Sequence, residues 1–415
     1  MSPDLSNLDR PTIAGDPVAI VVGGSIGGLT AALLLRDAGF EVTVMERSAT
    51  ALEGRGAGIV LHEETARYLV ERAGVTLPAI SEGARWFRFV DSSGQVTHEE
   101  PCRYRFTGWT TLYANLLDNL SPERYRLGNE VSAIEETGDR VRVVTIDGFS
   151  MTADLVVCAD GITSSSRRRL VPEVAARYAG YLGWRGVVRE SELDRNVFDR
   201  LYEAITYSTP TLSHILAYPI PSHRGTSLER ILNYVWYRNL EEGPFLDDVL
   251  TDVDGVRRNM SVAPGRLQSR HADDLKREAK AVLPDDLARM VIMTEQPFIQ
   301  TVVDVEVPRM VFGRVCLIGD AAFAARPHAA AGTAKAAADA WSLTETLRNA
   351  VGDIPAALKA WEPGALERGR RLTERARRLG TMAQVEGTFG GGDPFILFGL
   401  DQPGDSCYPT YKERQ

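Results

Sequence analysis

Ala19-Ile20-Val21-Val22-Gly23-Gly24-Ser25-Ile26-Gly27-Gly28-Leu29 is the stretch on which the fold depends. A short β-branched apolar run stops at a cluster of glycines, which reads as a strand ending in a tight turn. From Leu29 to Asp37 the Ala- and Leu-rich pattern becomes helical, and Gly39 stands where a left-handed helix cap is wanted. Val42-Thr43-Val44-Met45 reads as a second buried strand, closing a β-α-β unit with a right-handed crossover. A pyrophosphate needs close backbone approach, free N–H donors and the positive end of a helix dipole in one place. The glycines and the following helix supply all three, with spacing G-x-S-x-x-G because Ser25 takes the middle glycine position. Glu46 ends the second strand about twenty residues on, where a carboxylate accepts from a ribose.

Working outward, a strand-rich zone from Arg126 to Cys158 has turn signals at Thr137-Gly138-Asp139 and Asp147-Gly148, and is expected to be a small antiparallel meander. Val315-Cys316-Leu317-Ile318 reads as another strand, leading into Gly319-Asp320 and an Ala-rich helix from about Gly332 to Val351. Between Tyr178 and Gln300 alternating strands are dense in Tyr and Trp. The predicted fold class is α/β: a Rossmann-type domain, discontinuous over 17–75, 105–175 and 302–385, with an inserted mixed-sheet substrate domain at 76–104 and 176–301. Residues 1–16 are expected to be a flexible arm and 386–415 an irregular C-terminal tail.

The chain has 415 residues and a net charge of −9, which disfavours a nucleic-acid partner. An Arg-dense stretch, Arg368 to Arg378, alternates with Glu367 and Glu374 and is expected to be a solvated helix face. Cys102, Cys158, Cys316 and Cys407 lack metal-ligand spacing and read as small apolar residues in a reducing compartment. No metal site is expected. No apolar run reaches transmembrane length and no signal peptide is evident, so the expected location is cytoplasmic and off the membrane.

Two more strand ends carry Cys158-Ala159-Asp160-Gly161, followed by Ser164 and Arg167, and Gly319-Asp320-Ala321-Ala322, followed by Pro327 and Gly332. With the glycine turn, these elements resemble the class A flavoprotein monooxygenases, the FAD-dependent aromatic hydroxylases, over nearly the whole chain. The resemblance implies that Gly23, Ser25, Ile26 and Gly28 face the FAD pyrophosphate, Glu46 and Arg47 the adenosine side, and Val131 the adenine. It also places Asp160 and Asp320 at the cofactor, Asp320 toward the ribityl chain, with Pro327, Gly332, Thr333 and Ala334 at the flavin ring. This sequence departs from the family pattern at Phe323, where a His is common, at Ala330 and Ala334, where Gly and Asn are common, and at Trp109, where many members carry an Arg.

The activity implied is transfer of one oxygen atom from dioxygen, through a flavin C4a-hydroperoxide, to a small electron-rich aromatic, with NADH or NADPH as transient reductant. By resemblance to family members over segments such as Trp184-Arg185-Gly186-Val187 and Arg326-Pro327-His328-Ala329, the implied substrate is a hydroxypyridine or phenol. Pocket candidates are Tyr207, His214, Tyr218, Asn233 and His328, since His and Tyr both donate and accept. His62 ranks lower, as an exposed helix start; Trp184 and Arg185 are read as structural, Arg185 in a sheet-crossing ion pair. Homodimer formation is left open. Two alternatives stand beside this reading: epoxidation or Baeyer-Villiger chemistry on a larger substrate, and a non-catalytic flavin-binding protein.

Overall fold

The computed structural model describes residues 16–52, 58–222, 229–350 and 352–406. The expected N-terminal arm, but for its last residue, lies outside these, as does Cys407. Strand β1 (Val18–Val22) enters the glycine turn, helix α1 (Ile26–Asp37) follows, and β2 (Glu41–Met45) runs parallel to β1. The turn is tight for steric reasons. Gly23 has φ +102°, and a Cβ there would lie 2.5 Å from the Ala159 carbonyl oxygen; a Cβ on Gly28 would lie 1.9 Å from that of Gly23. Helix α1 starts at Ile26 rather than at Leu29. Its glycines are poor helix formers, but Gly27 is needed where the helix meets Ala336, 3.0 Å from the position of a Cβ.

The parallel sheet continues through β3 (Leu155–Cys158) and Val315–Leu317, with Tyr125–Arg126 at the opposite edge. All four residues of β3 are buried, the near-continuous apolar pattern of a strand covered on both faces. The zone expected to be one meander therefore divides. Val131–Thr137, Arg140–Thr145 and Ser150–Ala153 form an antiparallel three-stranded sheet, while Tyr125–Arg126 and β3 belong to the parallel one.

The second large sheet is mixed. Its centre is β4 (Arg177–Arg189), β5 (Ala204–Ser208), β6 (His214–Ile220), β7 (Ile231–Asn239) and β8 (Phe298–Glu306), and Trp86–Val90 pairs parallel with β5. Side chains alternate across its faces with period two. Trp184, Ile215, Ala217, Leu232, Tyr234 and Trp236 pack with Phe198, Leu275 and Met290 from helices on the outer face. Tyr181, Leu216, Tyr218, Val235 and Tyr237 point inward with Tyr207 and Ala331. Trp184 is thus a core residue, as expected.

Helix α2 (Gly332–Asn349) packs on α1, and α3 (Ile354–Thr381) spans both halves, contributing Ala357 and Trp361 to one core and Leu372 and Leu379 to the other. The Arg-dense stretch lies on α3 and is not simply a solvated face. Arg375 is buried and donates to the carbonyls of Leu397 and Gly399, 2.9 Å for the latter; Arg371 pairs with Asp401, and Arg377 with Asp304 and Glu306. The contacts of Arg371 and Arg375 lay the segment after α3 across the body, burying Phe389, Ile396, Phe398 and Leu400. Among the described residues, no helix is long and apolar enough to cross a membrane.

Candidate active site

The C-terminal ends of β1, β2 and β3 open on a groove of ≈160 Å³ lined by Gly23, Gly24, Ser25, Glu46, Arg47, Val131, Asp160 and Gly161. Glu46 is buried and oriented by two backbone donors, Gly24 N at 2.9 Å and Ser48 N at 2.8 Å. Leu29 is the first residue of α1 whose N–H bonds back, to Ser25 at 2.8 Å. The three N–H groups before it have no intrahelical acceptor. Asp160 caps its own turn, accepting from Ser164 Oγ at 2.5 Å and Ser166 N at 3.0 Å.

A second cavity, ≈230 Å³, lies between the mixed sheet and the start of α2. Asp320, Pro327, His328, Gly332 and Thr333 line one side, and Tyr207, His214, Tyr218, Tyr237, Phe389 and Phe398 the other. Ala334 is buried beside it in the aromatic core, and Ile26 and Gly28 are buried within α1. In α2 the first backbone donor to bond back is Lys335, to Ala331 at 2.8 Å, so Gly332, Thr333 and Ala334 keep theirs.

A buried ion pair fixes the floor. Lys335 Nζ lies 2.7 Å from Asp339 Oδ2; Lys335 donates to Gly319 O at 3.1 Å, and Gly319 N donates to Asp339 at 2.9 Å. Arg167, also buried, joins two strand ends by donating to Ile162 O at 2.5 Å and Ala321 O at 3.0 Å. Burial pushes the Asp320 carboxyl up to about 6, against the pull of Lys335 and Arg167.

Comparison with known proteins decides what this arrangement belongs to. A family model described as FAD binding domain-like matches residues 178–304, and one described as NAD(P)-binding Rossmann-like domain matches 21–93. 2,6-Dihydroxypyridine 3-monooxygenase of Paenarthrobacter nicotinovorans is 38% identical over 92% of this chain and 96% of its own. The structure of 2,6-dihydroxypyridine-3-hydroxylase from Arthrobacter nicotinovorans superposes with TM-score 0.88 at 37% identity, covering 94% of this chain and 98% of that one. A 3-amino-4-hydroxybenzoate 2-monooxygenase of Streptomyces platensis is 31% identical over 90% of this chain and 88% of its own.

The chain belongs to the FAD-dependent aromatic monooxygenases.

The residues of this monooxygenase fit FAD in both grooves: glycines where a Cβ has no room, free N–H groups at two helix starts, and a fixed carboxylate at the end of β2. Its pocket candidates divide. Tyr207, His214 and His328 ring the second cavity, with Tyr207 stacked on Phe89 at 4.9 Å and the two imidazoles 5.1 Å apart. Burial pulls His214 down to about 3 and His328 well below its ordinary value, so both are neutral. Tyr218, by contrast, already donates its hydroxyl to Gly58 O at 2.7 Å, and burial holds it up at about 12. Asn233 Oδ1 accepts from Gly58 N at 2.9 Å, and Arg185 donates to Gly58 O at 2.9 Å and to Gln300 at 3.1 Å. Arg185 is therefore a clamp on the Gly58 peptide, with an amide where an ion-pair partner was expected.

His62 corrects another expectation. It is 1% exposed, and its Nε2 donates to Ala330 O at 2.9 Å, bracing a residue held at φ +54°. A polar residue before a helix has no sequence mark of burial, so a surface cap was the default. Tyr181, bonded to His328 Nε2 at 2.7 Å, and Phe389, Phe398 and Gln384 were not among the site residues expected from sequence. The first lay in a crowd of strand aromatics, and the others lie at or beyond the end of α3, where no periodicity points inward.

Proposed function

We propose that this monooxygenase hydroxylates a small aromatic already carrying ring oxygens, a hydroxypyridine or a phenol, at the expense of NADH or NADPH and dioxygen. One observation carries the reading: the likeness to 2,6-dihydroxypyridine 3-monooxygenase runs through almost the full length of both chains. The chemistry FAD supplies when bound is electron uptake from a nicotinamide and activation of dioxygen. The protein's own part is to hold the ring, exclude water and manage one substrate proton.

On this reading Gly23, Ser25, Ile26 and Gly28 hold the pyrophosphate, Glu46, Arg47 and Val131 the adenosine, and Asp320 with the start of α2 the remainder. The free N–H groups of Gly332, Thr333 and Ala334 stabilise negative charge at the ring. The cavity walls Tyr207, Tyr237, Phe389 and Phe398 receive the substrate ring. His214 and His328, kept neutral by burial, exchange hydrogen bonds with its oxygens, because a neutral imidazole both donates and accepts. The ≈230 Å³ cavity seats the flavin end of FAD beside the substrate, since Asp320, Gly332 and Thr333 line it, which favours a single ring over a polycyclic substrate.

The test is NADH or NADPH oxidation by the FAD-loaded protein with 2,6-dihydroxypyridine and simple phenols, with product mass. Stimulated oxidation and a product one oxygen atom heavier are expected. No stimulation by any of these rings overturns the substrate class.

A further inference from the structure

Helix α3 ends in a π-helical turn, Met382–Glu386. Such a turn widens the backbone and recurs at functional sites. Asn239 Nδ2 on β7 donates to Gln384 O at 2.8 Å, and Arg378 pairs with Glu386 at 2.5 Å, so the turn is held at its middle and at its C-terminal end. The Gln384 side chain is buried, and its Nε2 lies 3.0 Å from His214 Nδ1. An amide nitrogen only donates. With the amide in this orientation, which leaves Gln384 Oε1 without a partner among the described residues, His214 Nδ1 accepts and the neutral ring carries its proton on Nε2. That Nε2 has no partner among the described residues, and the ring lines the cavity. The same turn brings Phe389 to 5.2 Å from the His214 ring and 5.9 Å from Tyr207.

We propose that Gln384 is a positioning residue that fixes the His214 tautomer, so that the cavity offers an Nε2–H donor and selects aromatics whose facing group is an oxygen acceptor. The ligand class, an aromatic ring, rests on the proposed function; the tautomer does not. A ring carbonyl or an ionised hydroxyl satisfies the donor, and an ionised oxygen does so more strongly. An aromatic amine at the same position sets donor against donor and leaves both unpaired. Gln384 acts through His214 and reads hydroxylated against aminated rings.

Nitrogen-15 long-range correlation spectra of the FAD-loaded protein, with His214 assigned by its loss in His214→Gln, read the tautomer without any substrate. The wild type is expected to show a protonated Nε2 and a bare Nδ1; a proton on Nδ1 overturns the proposal. Gln384→Glu supplies an acceptor in place of the donor and moves the proton to Nδ1. Titration of flavin absorbance should then show 2,6-dihydroxypyridine bound about 10-fold or more weakly, with 2,6-diaminopyridine losing less or gaining. An unchanged ratio of the two affinities, with normal FAD content, overturns it equally. Should that variant fail to fold, the wild-type spectrum decides alone. Absence of turnover with a bare Nδ1 would refute the substrate reading and leave the tautomer standing.

Discussion

Three imidazoles, those of His62, His214 and His328, are buried around the second cavity, and burial holds each below its ordinary value of 6.5, His62 at about 4 and His214 at about 3. The sign of the consequence follows from proton counting. Near pH 5 the unfolded chain protonates all three, while the folded apoprotein leaves them neutral and instead holds a proton on Asp320, raised to about 6. Unfolding therefore takes up three protons and releases one. From these groups alone, stability is fully present above pH 6.5 and falls as the pH drops from about 6 toward 4. Urea unfolding of the apoprotein across that range checks it, and a flat profile contradicts it. At the same scale, Tyr181→Phe deprives the buried His328 of its partner at Nε2. The expected outcome is a loss of about 1–3 kcal/mol in unfolding free energy at unchanged FAD content, measured by urea titration and flavin absorbance.

At the scale of elements, the glycine turn and the segment after α3 bear the clearest demands. Gly23→Ala puts a methyl 2.5 Å from a backbone oxygen at a φ that suits only glycine. Purified Gly23→Ala protein is expected to retain little or no FAD; full flavin occupancy would show that the turn can open. Arg375→Met removes the donors that hold Leu397 and Gly399. Limited proteolysis should then cut within 387–406 faster than in the wild type, and the KM for the aromatic should rise because Phe389 and Phe398 are cavity walls. Equal cleavage rates would mean that apolar packing alone holds the segment. These two elements also show what sequence conveys. Strand, turn and helix at Gly23 are legible because the backbone itself must meet a steric and electrostatic demand, which restricts residue choice. The wall after α3 was expected as an irregular tail, packed over the body or disordered, since a segment held by arginine-to-carbonyl bonds and isolated aromatics has no period to read.

Across the whole molecule, the fold class and the strand ends bearing Gly23, Asp160 and Asp320 were legible, because each is an apolar strand followed by residues of restricted type. What bridges them was not. Arg167, reaching from Ile162 O to Ala321 O, and Lys335 with Asp339 beneath Gly319, are charged side chains that sequence would leave in water. Their burial depends on carbonyls and amides contributed by other parts of the chain. The same holds for Arg185, whose partner is a peptide group 127 residues away. These contacts set the two grooves in register, and the central claim is that together they form one cradle for a single dinucleotide. A crystal structure of the FAD complex tests this most directly. Density is predicted to run unbroken from the groove at Gly24 and Glu46, past Asp320, to the start of α2 at Gly332. FAD confined to one groove, or bound away from both, would contradict the account.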